Sequence, residues 1–84
     1  MKTKTLNQTS ISNELEDIYD EIGWGDIAER YFPEKSVSWF YNKLRGVDGN
    51  GGKGEFSIAE KIQLRDGLLD FSERVRKAAE NMTI

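Results

Sequence analysis

The stretch that decides the fold is residues 24–46, which read WGDIAERYFPEKSVSWFYNKLRG. Apolar side chains recur there at helical spacing on both sides of Pro33, and proline disfavours helical geometry in the residue before it. The pattern predicts a short helix from about Gly25 to Phe32, followed by a turn. Ser36 is a suitable N-cap for a second helix from Val37 to Arg45, and a glycine follows its end. A helix, a turn and a helix therefore form the centre of the predicted domain.

The second of these helices has an apolar face and a polar face when its residues are placed 100° apart. The apolar face holds Val37, Phe40, Tyr41 and Leu44. The opposite face holds Ser38, Trp39, Asn42 and Lys43. Because tryptophan has a large apolar surface to bury, Trp39 is unusual on an outer face. It is expected to be covered by the C-terminal helix, to stack on a sugar or base, or to lie in a protein interface, and packing in the core is the favoured interpretation.

The segment before this unit, residues 10–23, carries five acidic side chains and no basic one. Its apolar positions, spaced i, i+4, i+7, i+8, i+11, are Ile11, Leu15, Ile18, Tyr19 and Ile22. This spacing predicts a first helix that begins near Ser12 and ends at Gly23, with the acidic side chains forming a solvated face. Residues 1–9 are polar and are predicted to be a flexible tail.

The segment after the central unit begins with five glycines in residues 46–54, which predicts an irregular loop over 47–54. Ser57 and Glu60 then form an S-x-x-E capping box, which marks the start of a helix predicted over 57–81. The apolar positions of this last helix are Ile58, Ile62, Leu64, Leu68, Leu69, Phe71, Val75, Ala79 and Met82. An apolar arc this wide predicts contact with two neighbours or with a partner chain. The predicted fold is therefore a single all-α domain of four helices, including a long C-terminal helix.

Catalytic and metal chemistry are not expected from this chain. Its 84 residues include no cysteine and no histidine, so thiolate zinc sites and the usual nucleophile–base pairs cannot be built. Residues 48–60 resemble a calcium-binding EF-hand loop, but the match needs one inserted residue and Lys53 opposes a divalent cation. We therefore expect no enzyme activity, no cofactor, no metal and no small-molecule substrate.

Membrane insertion is not expected either, because no segment approaches the roughly 18 apolar residues that a spanning helix needs. The polar N-terminus also lacks the apolar stretch of a secretory signal. These observations predict a cytoplasmic protein without a membrane partner.

The distribution of charge favours one segment as a DNA-binding surface. The net charge of −3 weighs against nucleic-acid binding, yet residues 35–46 contain three basic side chains and no acidic one. The candidate DNA-binding residues are Lys35, Ser36, Ser38, Trp39, Asn42, Lys43 and Arg45. In this hypothesis Asn42 pairs with an adenine, whereas Lys43 or Arg45 contacts a guanine or a phosphate. The alternative is a protein-interaction adaptor or homodimerisation domain that uses Trp39 and the wide apolar face of the last helix. The acidic first helix favours this alternative over DNA binding.

The string Ile27–Phe32 followed by Ser36–Gly46 resembles a family of small uncharacterised proteins from gut bacteria, a domain of unknown function. The similarity covers residues 24–76 and centres on the pattern S-x-S-W-x-Y-x-x-L-x-G. The same core resembles the phage-repressor type of helix-turn-helix, although Pro33–Lys35 makes the turn longer and no glycine opens it. This resemblance implies a DNA-binding protein of transcriptional-regulator or mobile-element type, with double-stranded DNA as partner. Because only a few basic side chains are placed to contact phosphates, a homodimer is the expected binding form.

Overall fold

The computed structural model describes residues 14–46 and 54–84. A short 3-10 helix, Glu16–Ile18, precedes three α-helices in these ranges: α1 (Trp24–Tyr31), α2 (Val37–Arg45) and α3 (Ile58–Asn81). The described residues form no strand, which confirms the all-α class, but they contain three α-helices where four were predicted. The expected tail, the start of the first helix and the calcium-like residues 48–53 lie outside the described ranges.

The prediction of an α-helix over residues 10–23 is wrong from Glu16 onwards. Glu14 and Leu15 are α-helical, but the chain then forms the 3-10 helix and turns as far as Ile22. Like charges at Glu16 and Asp20, four residues apart, disfavour a regular α-helix. The carbonyl of Tyr19 instead accepts the indole N–H of Trp24 at 2.8 Å. The apolar pattern nevertheless identified the inward side chains, which are Leu15 (buried) and Ile18, Tyr19 and Ile22 (half-buried against the core).

The ends of α2 follow from the residues that flank it. The Ser36 hydroxyl accepts the backbone N–H of Trp39 at 3.0 Å and so caps the first turn. Gly46 adopts the left-handed conformation, with φ 77°, and its N–H bonds back to the carbonyls of Asn42 and Lys43. The Gly46 carbonyl in turn accepts the N–H of Gly54 at 3.0 Å, which holds the two ends of the glycine-rich segment together.

The core is built around three buried phenylalanines from three parts of the chain. The ring centroids of Phe32 and Phe40 are 5.2 Å apart, those of Phe40 and Phe56 are 5.7 Å apart, and those of Phe32 and Phe56 are 6.0 Å apart. Aromatic pairs at such distances contribute attraction beyond their buried area. Leu44 of α2 and Leu64 of α3 are also fully buried. The polar side of α2 is thereby fixed relative to the rest of the domain.

The longest helix, α3, packs against the core as far as Phe71, and Arg74 also donates to the Tyr31 hydroxyl at 3.4 Å. The predicted capping box is present, since the Glu60 N–H donates to the Ser57 hydroxyl and the Ser57 N–H donates to the Glu60 carboxylate. Every residue from Ser72 to Asn81 is exposed. Arg76 pairs there with Glu73 and Glu80, each at 2.9 Å. Neither α3 nor any other helix of the described ranges has the length and apolar character that crossing a membrane requires.

Candidate nucleic-acid interface

The solvent-facing side of α2 carries two rows of polar and basic side chains. One row, at four-residue intervals, is Lys35, Trp39 and Lys43, and the other is Ser38, Asn42 and Arg45. Of the seven residues predicted from the sequence, Lys35, Ser36, Ser38 and Arg45 are exposed and the other three are half-buried. We call these seven residues the α2 face. The buried Phe40 and Leu44 lie on the other side of the same helix.

Trp39 packs against the core with part of its ring system and is half-buried. Its ring centroid is 5.8 Å from that of Phe32 and 5.9 Å from that of Phe56, which it meets edge to face. Packing within the domain therefore accounts for the apolar surface of Trp39. Neither a nucleic-acid ligand nor a partner protein is needed to explain it. The covering group comes from the residues before α3 rather than from the helix itself.

The two lysines of the α2 face are held over the Trp39 ring. The Nζ of Lys35 is 5.0 Å from the ring centroid and that of Lys43 is 5.6 Å from it. An ammonium group at this distance is attracted by the negative face of the indole. The Lys43 ammonium also donates to the carbonyl of Glu55 at 3.2 Å. Because an ammonium has three N–H donors, this bond still leaves Lys43 donors for a ligand.

Asn42 and Arg45 form a second pair on the α2 face. The Arg45 guanidinium donates to the amide oxygen of Asn42 at 2.7 Å. Bidentate pairing with adenine uses both the oxygen and the nitrogen of an asparagine amide. Asn42 can therefore contact an adenine in the predicted way only when Arg45 releases the amide oxygen or shares it. The sequence alone gave no sign of this pairing, although the two residues are one helical turn apart.

A second surface feature is an apolar groove beside the first half of α3, with a volume of about 420 Å³. It is lined by Glu14, Leu15, Ile58, Lys61, Ile62, Leu64, Arg65, Leu68 and Leu69. Three of its aliphatic side chains are strongly exposed, namely Ile58 at 78%, Leu69 at 59% and Ile62 at 45%. The wide apolar arc in the sequence predicted such a surface. It did not predict the contribution of Glu14 and Leu15, which depends on how the segment before α1 packs against α3.

The described residues offer no metal centre, because no group of three or more carboxylates among them is arranged to hold an ion. The residues that the structure describes form an all-helical domain with a basic polar face and an apolar groove. A family model described as a domain of unknown function, DUF5053, matches residues 11–82. The chain therefore belongs to the DUF5053 family. Comparisons with curated proteins and with solved structures give no match.

Proposed function

We propose that this domain binds double-stranded DNA through the α2 face, with α1, the turn and α2 acting as a helix-turn-helix unit. The observation that carries the proposal is the placement of Lys35 and Lys43 over the half-buried ring of Trp39. Arg45 adds a third cation two residues after Lys43, and residues 35–46 contain no carboxylate. Ordered cations on a rigid helix lose less side-chain freedom when they bind phosphates.

The packing of α2 suits the role of a recognition helix. An α-helix fits the major groove of B-DNA, provided that its other side is anchored in the domain. The buried Phe40 and Leu44 supply that anchor, and Ser38 projects from the exposed side near the start of the helix. Lys35, Lys43 and Arg45 then contact phosphates, while Asn42 is the residue best suited to contact a base. In this proposal the domain belongs to a regulator or to a mobile-element protein.

Three cations also limit the affinity of one domain. Each phosphate neutralised by a basic side chain releases counterions, which gives a log–log salt slope of order −2 to −4 for a monomer. A homodimer would present two α2 faces about one DNA turn apart. It would bind DNA more tightly than a monomer without any new type of contact. We therefore propose a dimer as the form that binds a specific site.

A fluorescence-anisotropy titration tests the proposal. Wild-type protein is added to a labelled mixed-sequence duplex at about 50 mM salt and again at about 200 mM salt. We expect binding that weakens with salt along the shallow slope given above. The variant Glu14→Gln, which removes an acidic side chain outside the α2 face, should bind equally well or more tightly. Absence of binding at high micromolar protein would contradict the proposal.

A protein-interaction adaptor is the second candidate, and the exposed apolar side chains of α3 favour it. Ile58, Leu69 and Val75 are each more than half exposed, and apolar surface of this kind commonly marks a protein interface. This candidate predicts no duplex binding and predicts self-association or partner binding through α3. Sedimentation velocity over a range of concentrations, on wild type and on Leu69→Ser, tests for self-association, with Ser72→Ala as the control from the same helix.

A further inference from the structure

The distal part of α3, residues 72–81, extends beyond the core as a helix with every residue exposed. Isolated helices shorter than about 12–15 residues are marginal in water, and most helices in proteins are stabilised by packing of an apolar face. Arg76 forms two ion pairs on one side of this part of the helix. A different side presents apolar side chains to solvent, with Val75 at 51% exposed and Met82 at 67% exposed. That apolar side is a surface on which a partner can pack.

A single apolar seam runs along α3 from the core to the C-cap of the helix. Its members are spaced alternately by four and three residues, and they are Leu64, Leu68, Phe71, Val75, Ala78 and Met82. This is the spacing of positions a and d in a coiled coil. The first three members lie against the core of their own domain, and the last three continue the same line into solvent. We call Phe71 and the last three members the distal seam.

The charges around the distal seam favour a second copy of this chain as its partner. The seam positions from Phe71 onwards and the positions that border them hold one charged residue, Arg74. Its guanidinium is held by its own domain, since it donates to the Tyr31 hydroxyl at 3.4 Å and lies 5.8 Å from the Phe71 ring centroid. Ser72 and Ala79 border the seam on the other side. In coiled coils, charged residues at bordering positions select the partner chain. Two copies of this seam meet without like charges facing each other.

The position of the core on α3 determines how two distal seams can meet. Each domain occupies the seam side of its helix at residues 64–71, so a parallel partner would bring its own domain to the same place. An antiparallel partner avoids this clash. In the register centred between Val75 and Ala78, Val75 of one copy packs on Ala78 of the other, and Phe71 packs on Met82. Methionine sulfur is a favourable neighbour of an aromatic ring. Each chain supplies both members of every pair, as a two-fold interface requires.

We propose that the distal seam is the homodimer interface of this protein, with the two α3 helices packed antiparallel across it. The inference rests on the homodimer of the proposed function and names the surface that forms it. In this register the Gly67 residues of the two copies are about 28 Å apart along the helices, at 1.5 Å rise per residue. That separation is of the order of one DNA turn, about 34 Å, which separates half-sites bound by a dimer.

Sedimentation velocity over a range of protein concentrations, without DNA, tests the interface. Wild type should pass from monomer to dimer toward high micromolar protein, because the interface is short. Val75→Asp should dimerise roughly tenfold or more weakly, since an unpaired carboxylate is costly to bury. Ala59→Asp is the matched control, because it places the same charge at an exposed position of the same helix outside the seam. It should dimerise as wild type does, and circular dichroism checks that both variants are folded.

Disulfide trapping tests the orientation of the two helices, because the chain has no native cysteine. Ser72→Cys and Ala79→Cys are mixed in equal amounts and oxidised. An antiparallel dimer brings Ser72 of one copy beside Ala79 of the other, so the mixed disulfide should exceed both same-site products together in mass spectrometry. Met82→Cys alone should form little disulfide, because its two copies lie about 16 Å apart along the helices.

Four outcomes would overturn the proposal. A monomer at every concentration would show that there is no dimer interface to assign. Dimerisation of Val75→Asp equal to that of wild type, or loss of the dimer in Leu69→Asp but not in Val75→Asp, would place the interface on another surface. Efficient crosslinking of Met82→Cys would indicate parallel helices. These measurements contain no DNA, so a failure of the dimer is distinguished from a failure of the α2 face, which the anisotropy titration measures.

Discussion

The ring of Tyr31 lies directly against the backbone of Gly67, so that a Cβ atom added at Gly67 would stand only 2.8 Å from the Tyr31 Cγ. This contact sets the approach of α1 to α3. The same tyrosine donates its hydroxyl hydrogen to the Asp70 carboxylate at 2.5 Å, and its carbonyl accepts from the Gln63 amide at 2.7 Å. Gly67 is therefore needed for the close packing of α3 against α1.

Replacing Gly67 with alanine should destabilise the domain even though alanine is the better helix former. The gain in helix propensity is about 1 kcal/mol, whereas overpacking a close contact costs about 1–3 kcal/mol and here displaces α1 from α3. Urea unfolding should give a net loss of up to about 2 kcal/mol in the free energy of unfolding.

The control for this prediction is Ser72→Ala, an exposed site on the same helix, which should change stability by less than about 0.5 kcal/mol. In a double-mutant cycle with Tyr31→Ala, the two losses should be less than additive because the clash needs the ring. A Gly67→Ala variant more stable than wild type would contradict the described contact.

The capping box of α3 should contribute measurably to stability. Ser57→Ala removes the hydroxyl that accepts the Glu60 N–H at 3.1 Å, and loss of such a cap typically costs about 1 kcal/mol. Thermal or urea unfolding measures the effect. Glycine at the same site should cost only a few tenths of a kcal/mol, so a Ser57→Gly variant as unstable as Ser57→Ala would show that something other than the cap is lost.

Trp39 should support DNA binding by positioning lysines and not by touching DNA. Trp39→Phe keeps an aromatic face for Lys35 and Lys43, and we expect it to retain most of the affinity. Trp39→Leu removes that face, and we expect a several-fold loss, since a cation–π contact at a partly exposed site is worth about 1 kcal/mol. Anisotropy titrations of both variants measure this. Equal losses in the two variants would instead indicate direct contact between the indole and the DNA.

Asn42 should affect sequence preference more than overall affinity. If its amide contacts a base once Arg45 has released it, Asn42→Ala should narrow the difference in affinity between preferred and random duplexes while leaving random-duplex binding nearly unchanged. A selection of preferred sites followed by competition titrations checks this. A uniform drop over all sequences would show that Asn42 only positions Arg45.

The sequence allowed most of the helical elements to be predicted because their end signals are local. Ser36, Gly46 and Ser57 act through their own backbone neighbourhood, and the structure has caps at all three. The first helix was predicted to extend too far, beyond Leu15, because apolar periodicity reports which side chains face inward and not whether the backbone hydrogen bonds are α-helical. The hydrogen bond from the Trp24 indole to the Tyr19 carbonyl competes with those backbone bonds. It depends on tertiary packing, which local sequence signals do not report.

The candidate site was predictable in composition but not in geometry. The basic run of residues 35–46 is visible in the sequence, and the polar face follows from 100° spacing. The environment of Trp39 could not be read in this way, because Phe32 and Phe56 come from separate parts of the chain. The apolar arc of α3 likewise predicted the α3 side of the groove. The other side is formed by Glu14 and Leu15, whose position against α3 depends on tertiary packing.

The central claim, that the α2 face binds DNA, is tested most directly by comparing two triple variants of equal charge. Lys35→Gln/Lys43→Gln/Arg45→Gln removes three cations from the α2 face, and Arg65→Gln/Arg76→Gln/Lys77→Gln removes three from exposed positions of α3. In anisotropy titrations at about 50 mM salt, we predict that the first variant loses binding at least tenfold while the second binds within about threefold of wild type. Equal loss in both variants, or binding by the first that matches wild type, would contradict the claim.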